Sequence, residues 1–82
     1  MYDRPRLVEG ELQTALGKNL RTFREAEELS QEAFAERLGF HRTYWAGIER
    51  GERNLTLRSV ERIAAKLKIE PLLLLEGPIP RG

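Results

Sequence analysis

The side chains that could do chemistry in this chain of 82 residues are mainly basic, and the basic surplus lies in one segment. Residues 41–68 contain 7 Lys and Arg against 3 Asp and Glu, whereas residues 1–40 contain 6 against 8. The net charge of the whole chain is only +1. Because the local field attracts a polyanion, one face of such a protein can bind phosphate groups. The alternative is that these charges are paired on ordinary solvated helix faces.

Several other chemistries are excluded by residue type. The absence of Cys excludes a disulfide scaffold, a thiol nucleophile and a Cys-ligated zinc site. His41 is the only His, so there is no His cluster for a metal and no spare imidazole for a catalytic triad. The apolar run at residues 72–75 is too short to span a bilayer, and the first residues lack the apolar stretch of a secretory signal. We therefore expect a cytoplasmic protein that is not an enzyme and needs no cofactor, metal or small-molecule ligand.

Short helices without strands are expected to position the basic residues, so the fold class is all-α, a compact five-helix bundle. The predicted helices are residues 11–27, 31–38, 41–50, 57–67 and 72–76. Ser30 and Thr56 are the predicted N-caps of the second and fourth helices, and Gly39 supplies the left-handed residue that ends the second. We expect residues 10–77 to form one domain, preceded by a flexible arm, residues 1–9, and followed by a tail, residues 78–82.

Two of the helices are predicted from an apolar face that recurs every three or four residues. In the first helix, the residues expected on the buried face are Leu12, Leu16, Leu20 and Phe23. In the fourth helix, they are Leu57, Val60, Ile63, Ala64 and Leu67.

The strongest pattern lies in residues 31–50. Two helices that meet at a steep angle need a small side chain where they touch, which Ala35 provides. The turn between them needs a positive φ, which Gly39 adopts at no steric cost, and Phe40 fills the corner. The residues expected to face the inner helices are Trp45 and Ile48. This spacing predicts a helix-turn-helix; an ordinary helical hairpin is the alternative.

The third helix is predicted to expose its front end. The N-terminal end of such a helix enters the major groove, where Arg42 can bond guanine O6 and N7 and Thr43 can contact a base through its hydroxyl or methyl group. The alternative for Arg42 is a solvated surface arginine. The Tyr44 ring could pack at the helix edge while its hydroxyl reaches a phosphate. Nothing in the core requires Gly47, which costs the helix about 1 kcal/mol, so the small surface of Ala46 and Gly47 indicates that some other group approaches it closely.

Phosphate contacts are expected around this face. Gln31 lies at the positive N-terminus of the second helix, where backbone N–H groups and its amide can hold a phosphate. Arg50, Arg53 and Asn54 follow the third helix in a loop that would lie along a DNA backbone. Arg53 is also long enough to enter a groove, and Asn54 could instead fix the turn.

Glu49 is the acidic residue that such an interface must accommodate. It is expected to project beside the buried edge of the third helix, since DNA would repel its charge. A cationic partner on the first helix is then needed, and Arg24 is the first choice and Arg21 the second. The alternative is an exposed acid without a partner.

These residues resemble the Cro/C1-type (XRE family) helix-turn-helix domain. The matching segments are Leu20 to Arg24, Ser30 to Ala35, Gly39-Phe40, Ile48 to Gly51 and the helix from Thr56 to Leu67. The stretch from Arg42 to Arg50, followed by Arg53 to Leu57, is most similar to the controller proteins of restriction–modification systems. Those are small stand-alone dimers that bind repeated operator boxes and both activate and repress their own operon.

The resemblance implies five helices, a homodimer built from the last of them, and double-stranded DNA as the partner. It also implies the ion pair between Arg24 and Glu49. The base-reading residues that we predict are Arg42, Thr43, Tyr44 and Arg53. The phosphate-binding residues that we predict are Gln31, His41, Ala46, Gly47, Arg50 and Asn54.

The leucine run at residues 72–75 is richer than a short terminal helix needs. Two of the four leucines can cap the monomer core, and the others, with Ile69 and Ile79, would be left exposed, which usually marks an interface. The predicted dimer interface comprises Ile69, Leu72, Leu74 and Leu75. A two-fold dimer places two recognition helices about 34 Å apart, so the operator should be an imperfect palindrome. The alternative is that all four leucines serve one core.

Three functions fit the sequence. The first is a sequence-specific, DNA-binding transcription regulator that acts as a homodimer on a palindromic operator, as an autoregulating restriction–modification controller does. The second is a prophage repressor or an antitoxin-type autoregulator with the same DNA chemistry. The third is a protein-interaction module that uses the fold without DNA, which the net charge of +1 favours.

Overall fold

Five α-helices make up residues 9–76, the part of the chain that the computed structural model describes. They are α1 (Glu11–Ala26), α2 (Gln31–Leu38), α3 (Arg42–Glu49), α4 (Leu57–Leu67) and α5 (Pro71–Leu75). The described residues form no strand, and the all-α prediction is confirmed, with each helix end within one residue of its expected position. The expected arm up to residue 8, the tail and Ile79 lie outside the described residues. None of the helices in residues 9–76 has the length and apolar character that a membrane crossing requires.

Local hydrogen bonds explain where the central helices begin and end. The Ser30 hydroxyl accepts the Ala33 N–H at 3.1 Å and starts α2. Gly39 ends α2 with φ 85°, in the left-handed region that favours glycine. The Nδ1 atom of His41 accepts the Thr43 N–H at 3.2 Å and so starts α3. Each N-cap of this kind typically stabilises a helix by about 1 kcal/mol.

The core lies between α3 and the helices around it, since α3 packs against α1 and α2 while α5 packs against α1 and α4. Trp45 is its largest fully buried side chain. Its ring meets Phe34 edge-on, with centroids 5.5 Å apart, and Phe40 at the same centroid distance. Such aromatic pairs add about 1 kcal/mol beyond their buried area. Trp45 therefore anchors the turn between α2 and α3 in the core through its contact with Phe40.

A glycine that the sequence pattern did not single out sets the distance between α1 and α3. A Cβ atom on Gly17 would lie 2.5 Å from the carbonyl oxygen of Ile48 and 2.6 Å from that of Glu49. Both neighbours are backbone atoms and cannot swing away. Only glycine allows this approach of the two helices, which positions α3.

Two predictions for the buried faces are wrong. Leu12 is 62% exposed and Leu57 is 76% exposed. Each lies in the first turn of its helix, where none of the elements in residues 9–76 covers it, and both line an open apolar groove with Leu55 and Leu75. The helical period identified the correct face but not the point along it where the core ends.

Candidate nucleic-acid interface

The two helices on either side of Gly39 form a tight corner. Ala35 is fully buried there, and its carbonyl oxygen accepts the Phe40 N–H at 2.8 Å. The Phe40 ring stacks on Tyr44, with centroids 5.9 Å apart and the planes 12° from parallel. This corner buries the Trp45 side of α3 and directs the opposite side towards solvent.

Arg42 and Thr43, at the start of α3, are exposed. The Arg42 guanidinium comes to 4.0 Å from Glu32, and both side chains are well exposed. A surface pair of this kind contributes about 0–1 kcal/mol, so it does not prevent Arg42 from binding another partner. The first turn of α3 thus presents a guanidinium and a hydroxyl to solvent.

Arg53, from the loop after α3, is brought to the same surface. Its Cζ atom lies 4.9 Å from the centroid of the Tyr44 ring, a cation–π distance. Its carbonyl oxygen accepts a hydrogen bond from the Gln13 side-chain amide at 3.1 Å, which fixes the loop to α1. Tyr44 itself is half-buried, because one side of its ring rests on Phe40.

Three of the residues predicted to bind phosphate are exposed around this surface: His41, Arg50 and Asn54. Nδ1 of His41 accepts the Thr43 N–H, so Nε2 is the ring nitrogen that remains for another partner. Arg50 pairs with Glu52 at 3.0 Å, and this hydrogen bond lowers the pKa of the Glu52 carboxyl below its ordinary value. Ala46 is half-buried between these positions.

Two of the predicted phosphate ligands differ from expectation. One amide N–H of Gln31 donates to Glu49 at 3.0 Å, so the second amide N–H and the backbone N–H are what it can offer to a phosphate. Gly47 is buried, and a Cβ there would meet Nε of Arg53 at 2.9 Å. The group that approaches Gly47 closely is therefore a side chain of the same molecule, and phosphate binding at Gly47 stays a prediction.

A buried carboxylate lies behind the surface. Glu49 pairs with Arg24, with Nε to Oε2 at 2.7 Å and Nη2 to Oε1 at 3.1 Å, while Arg21 pairs with Glu25 instead. The Glu49 carboxylate also accepts from the Trp45 indole N–H at 2.7 Å and from Gln31. The two additional donors were not predicted, although the spacing of four residues between Trp45 and Glu49 on one helix was visible in the sequence.

The pKa of Glu49 lies below its ordinary value of 4.5. Burial by itself raises this pKa, but the hydrogen bonds from Arg24, Gln31 and Trp45 together outweigh the effect of burial. The same ion pair raises the pKa of Arg24. One ionised carboxylate therefore holds α1, α2 and α3 together directly behind the exposed face of α3.

Helix α5 exposes one of the three leucines predicted for the interface, Leu72, and one that was not predicted, Leu73. Leu72 is 70% exposed and Leu73 is 40% exposed, whereas Leu74 is fully buried in the core. The prediction that Leu74 belongs to a dimer interface is wrong, because successive helical residues point about 100° apart and the residue that turns inwards cannot also be on the surface. Ile69 and Leu75 are half-buried. The Asn19 amide donates to the Leu74 carbonyl at 2.9 Å and holds α5 against α1.

A short helix, a turn closed by a positive-φ glycine and a second helix with one buried and one exposed side define a helix-turn-helix protein. The chain belongs to the helix-turn-helix domain family, whose profile matches residues 15–75.

The chain is also similar to individual members of this group. It is 39% identical to the control protein C.SmaI of Serratia marcescens over 69 residues, and this aligned stretch covers 82% of each chain. The structure resembles the restriction-modification controller protein C.AhdI from Aeromonas hydrophila, with a TM-score of 0.66, 42% identity and 76% of this chain and 94% of that chain covered. It also resembles the hypothetical transcription factor NHTF from Neisseria, with a TM-score of 0.74, 33% identity and coverage of 94% and 90%. The resemblance inferred from the sequence motifs is confirmed.

Proposed function

We propose that this chain is a sequence-specific, DNA-binding transcription regulator and not an enzyme, and that it acts in the cytoplasm as a homodimer on palindromic operator DNA. The observation that carries the proposal is the exposed start of α3, where the side chains of Arg42 and Thr43 reach solvent and Arg53 lies over Tyr44. An exposed guanidinium at the front of a recognition helix is suited to guanine, and the hydroxyl and methyl groups of Thr43 suit a neighbouring base.

The groups around this face support a phosphate-binding role. His41, Arg50 and Asn54 are exposed beside α3, and the start of α2 offers the remaining N–H groups of Gln31. Helix N-termini and arginines are the usual phosphate contacts in protein–DNA complexes. Bases would then be read by Arg42 with help from its neighbours, while the surrounding groups fix the position of the protein on the duplex.

We also propose that the regulated genes belong to a restriction–modification operon, which would make the chain an autoregulating controller. The similarity to C.SmaI and C.AhdI supports this role over that of a prophage repressor or an antitoxin. Control would come from protein concentration, since dimers form and occupy the operator only above a threshold.

The proposed dimer uses the apolar surface of α5, with Leu72 and Leu73 at its centre and Ile69 and Leu75 beside them. An exposed apolar patch on a domain of this size usually marks an interface. Two copies related by a two-fold axis would place their α3 helices in successive major grooves about 34 Å apart.

The proposal is tested by measuring affinity against salt concentration. The purified protein is used to enrich a binding sequence from a library of randomised duplexes, and the dissociation constant of the enriched duplex is then measured at about 50 and 200 mM salt. With about six phosphate contacts, affinity should fall roughly a thousandfold over this range. Failure to enrich any sequence, or an affinity that does not depend on salt, would favour a protein-interaction module instead.

A further inference from the structure

Gly47 lies inside α3 at a position where the side chain of Arg53 crosses the helix. A Cβ on Gly47 would be 2.9 Å from Nε, 3.2 Å from Cγ and 3.6 Å from Cδ of Arg53. Three successive parts of that side chain therefore rest against the helix backbone. Alanine is more favourable than glycine within a helix, so the gain from glycine at this position must come from the contact it allows.

The far end of the same side chain rests on Tyr44. The guanidinium carbon lies 4.9 Å from the ring centroid, and the ring is itself stacked on Phe40. Phe40 in turn contacts the fully buried Trp45, with centroids 5.5 Å apart. The Tyr44 ring is thus supported from the core, and it presents a fixed aromatic face to the cation.

Two hydrogen bonds fix the loop that carries Arg53, one to α1 and one to α3. The Arg53 carbonyl accepts from Gln13 at 3.1 Å, and the Glu52 N–H donates to the Gly47 carbonyl at 2.9 Å. The Glu52 carboxylate pairs with Arg50 at 3.0 Å, and its charge also attracts Arg53 over a longer distance. Backbone and side chain together give Arg53 a defined path across α3.

We propose that Gly47 and the Tyr44 ring form a seat that holds Arg53 pre-positioned for base recognition, so that Gly47 is a specificity-determining positioning residue. The inference rests on the proposed function, and it adds that DNA is recognised by an arginine already ordered in the free protein. A guanidinium held in one orientation loses less conformational freedom when it bonds a base, and it discriminates better between a base that fits and one that does not.

The test is the variant Gly47→Ala. The measured quantity is the ratio of affinities for the duplex enriched by the wild-type protein and for a scrambled duplex of the same length and composition. The added methyl group displaces Arg53, so this ratio should fall about tenfold, the effect of losing one good base contact. The thermal unfolding temperature should stay the same or rise, because alanine favours the helix. A purely structural role for Gly47 would leave the ratio unchanged, and that result would overturn the proposal.

A double-mutant cycle shows whether the effect passes through Arg53. In an Arg53→Ala background, Gly47→Ala should cause no further change in the ratio, since the side chain that it displaces is absent. An equal loss of the affinity ratio in both backgrounds would mean that the methyl group collides with DNA directly. That result would overturn the proposal that Gly47 acts by positioning Arg53. Arg62→Ala, which removes an exposed arginine on α4, serves as the surface control.

The ring is tested separately, which keeps the inference open to refutation if Gly47→Ala folds poorly. Tyr44→Phe keeps the aromatic face, whereas Tyr44→Leu removes it, so Tyr44→Phe should retain more of the discrimination. Equal losses would overturn the contribution of the ring. If the wild-type protein enriches no sequence at all, it is the proposed function that fails; if it does enrich one and Gly47→Ala discriminates as well as wild type, only the seat fails.

Discussion

In the proposed function, Arg42 is the residue on which direct recognition of bases depends most. It is exposed at the start of α3, and its only partner among the described residues is a weak surface contact with Glu32. An arginine that bonds guanine through two atoms contributes both affinity and discrimination, unlike one that contacts phosphate.

We expect Arg42→Ala to weaken operator binding by about 1–3 kcal/mol and to relax the preference at one base pair in each half-site. Competition binding against duplexes with single base changes measures this directly. Arg62→Ala removes the same charge from α4 and should leave the preference intact. Equal weakening on every sequence would contradict base reading and reassign Arg42 to the DNA backbone.

The second decisive residue is Glu49, whose ionised form links three helices. Its pKa in the folded protein lies below 4.5, so the unfolded chain binds the proton more readily than the folded one. The resulting stabilisation is present above pH 4.5 and is lost as the pH falls towards the lowered pKa.

Glu49→Gln should lower the free energy of unfolding by about 3 kcal/mol near neutral pH, because it leaves the Arg24 guanidinium without its buried counter-charge. The variant should also lose part of the decrease in stability that wild type shows below pH 4.5. Urea denaturation at a series of pH values measures both effects. Glu61→Gln, an exposed acid on α4, is the matched control and should change neither. A pH profile for Glu49→Gln identical to that of wild type would contradict the assignment.

At the scale of elements, the position of α3 depends on how closely it approaches α1. Gly17 lies against two backbone carbonyl oxygens, those of Ile48 and Glu49. Displacing them means moving the end of α3 itself, and with it the carboxylate of Glu49.

Gly17→Ala should therefore destabilise the protein by about 1–3 kcal/mol, although alanine is the better helix former by about 1 kcal/mol. Thermal or urea unfolding gives the value. Lys18→Ala, at the next and exposed position of α1, should change stability by less than about 0.5 kcal/mol. A stability increase for Gly17→Ala would show that the two helices can separate at no cost.

At the scale of the whole molecule, the described residues leave two apolar areas uncovered. One is the outer side of α5 with Leu72 and Leu73, and the other is the groove bordered by Leu12 and Leu57. The proposed dimer covers the first area but not the second. We therefore expect charge added to the first area to disrupt the dimer and charge added to the second to leave it intact.

We expect the double variant Leu72→Glu with Leu73→Glu to be monomeric and to bind the operator at least about tenfold more weakly, because burying a carboxylate in an apolar interface is unfavourable. Sedimentation velocity measures the oligomeric state. Leu12→Glu with Leu57→Glu carries the same added charge and should remain dimeric. If only this second variant dissociates, the groove is the interface and α5 is not.

Much of the fold could be predicted from the sequence, because helix ends depend on local contacts. Ser30, Gly39 and Thr56 act through hydrogen bonds and backbone angles within a few residues, and all three stand where the pattern predicts a helix boundary. The pairing of Arg24 with Glu49 also followed from charge and helix geometry, together with the family resemblance. The exposure of Leu12 and Leu57 could not be predicted in this way, because a helical period identifies a face but not how far the neighbouring elements extend along it.

The sequence by itself thus determined the helices, the corner at Gly39 and the exposure of Arg42, each of which depends on residues close together in the chain. Only the tertiary structure decided the inward orientation of Leu74 and the contact of Gly47 with Arg53. These two features depend on the position of separate elements relative to each other. The physical reason is that a contact between two elements depends on the distance and angle set by the whole core, which no local pattern encodes.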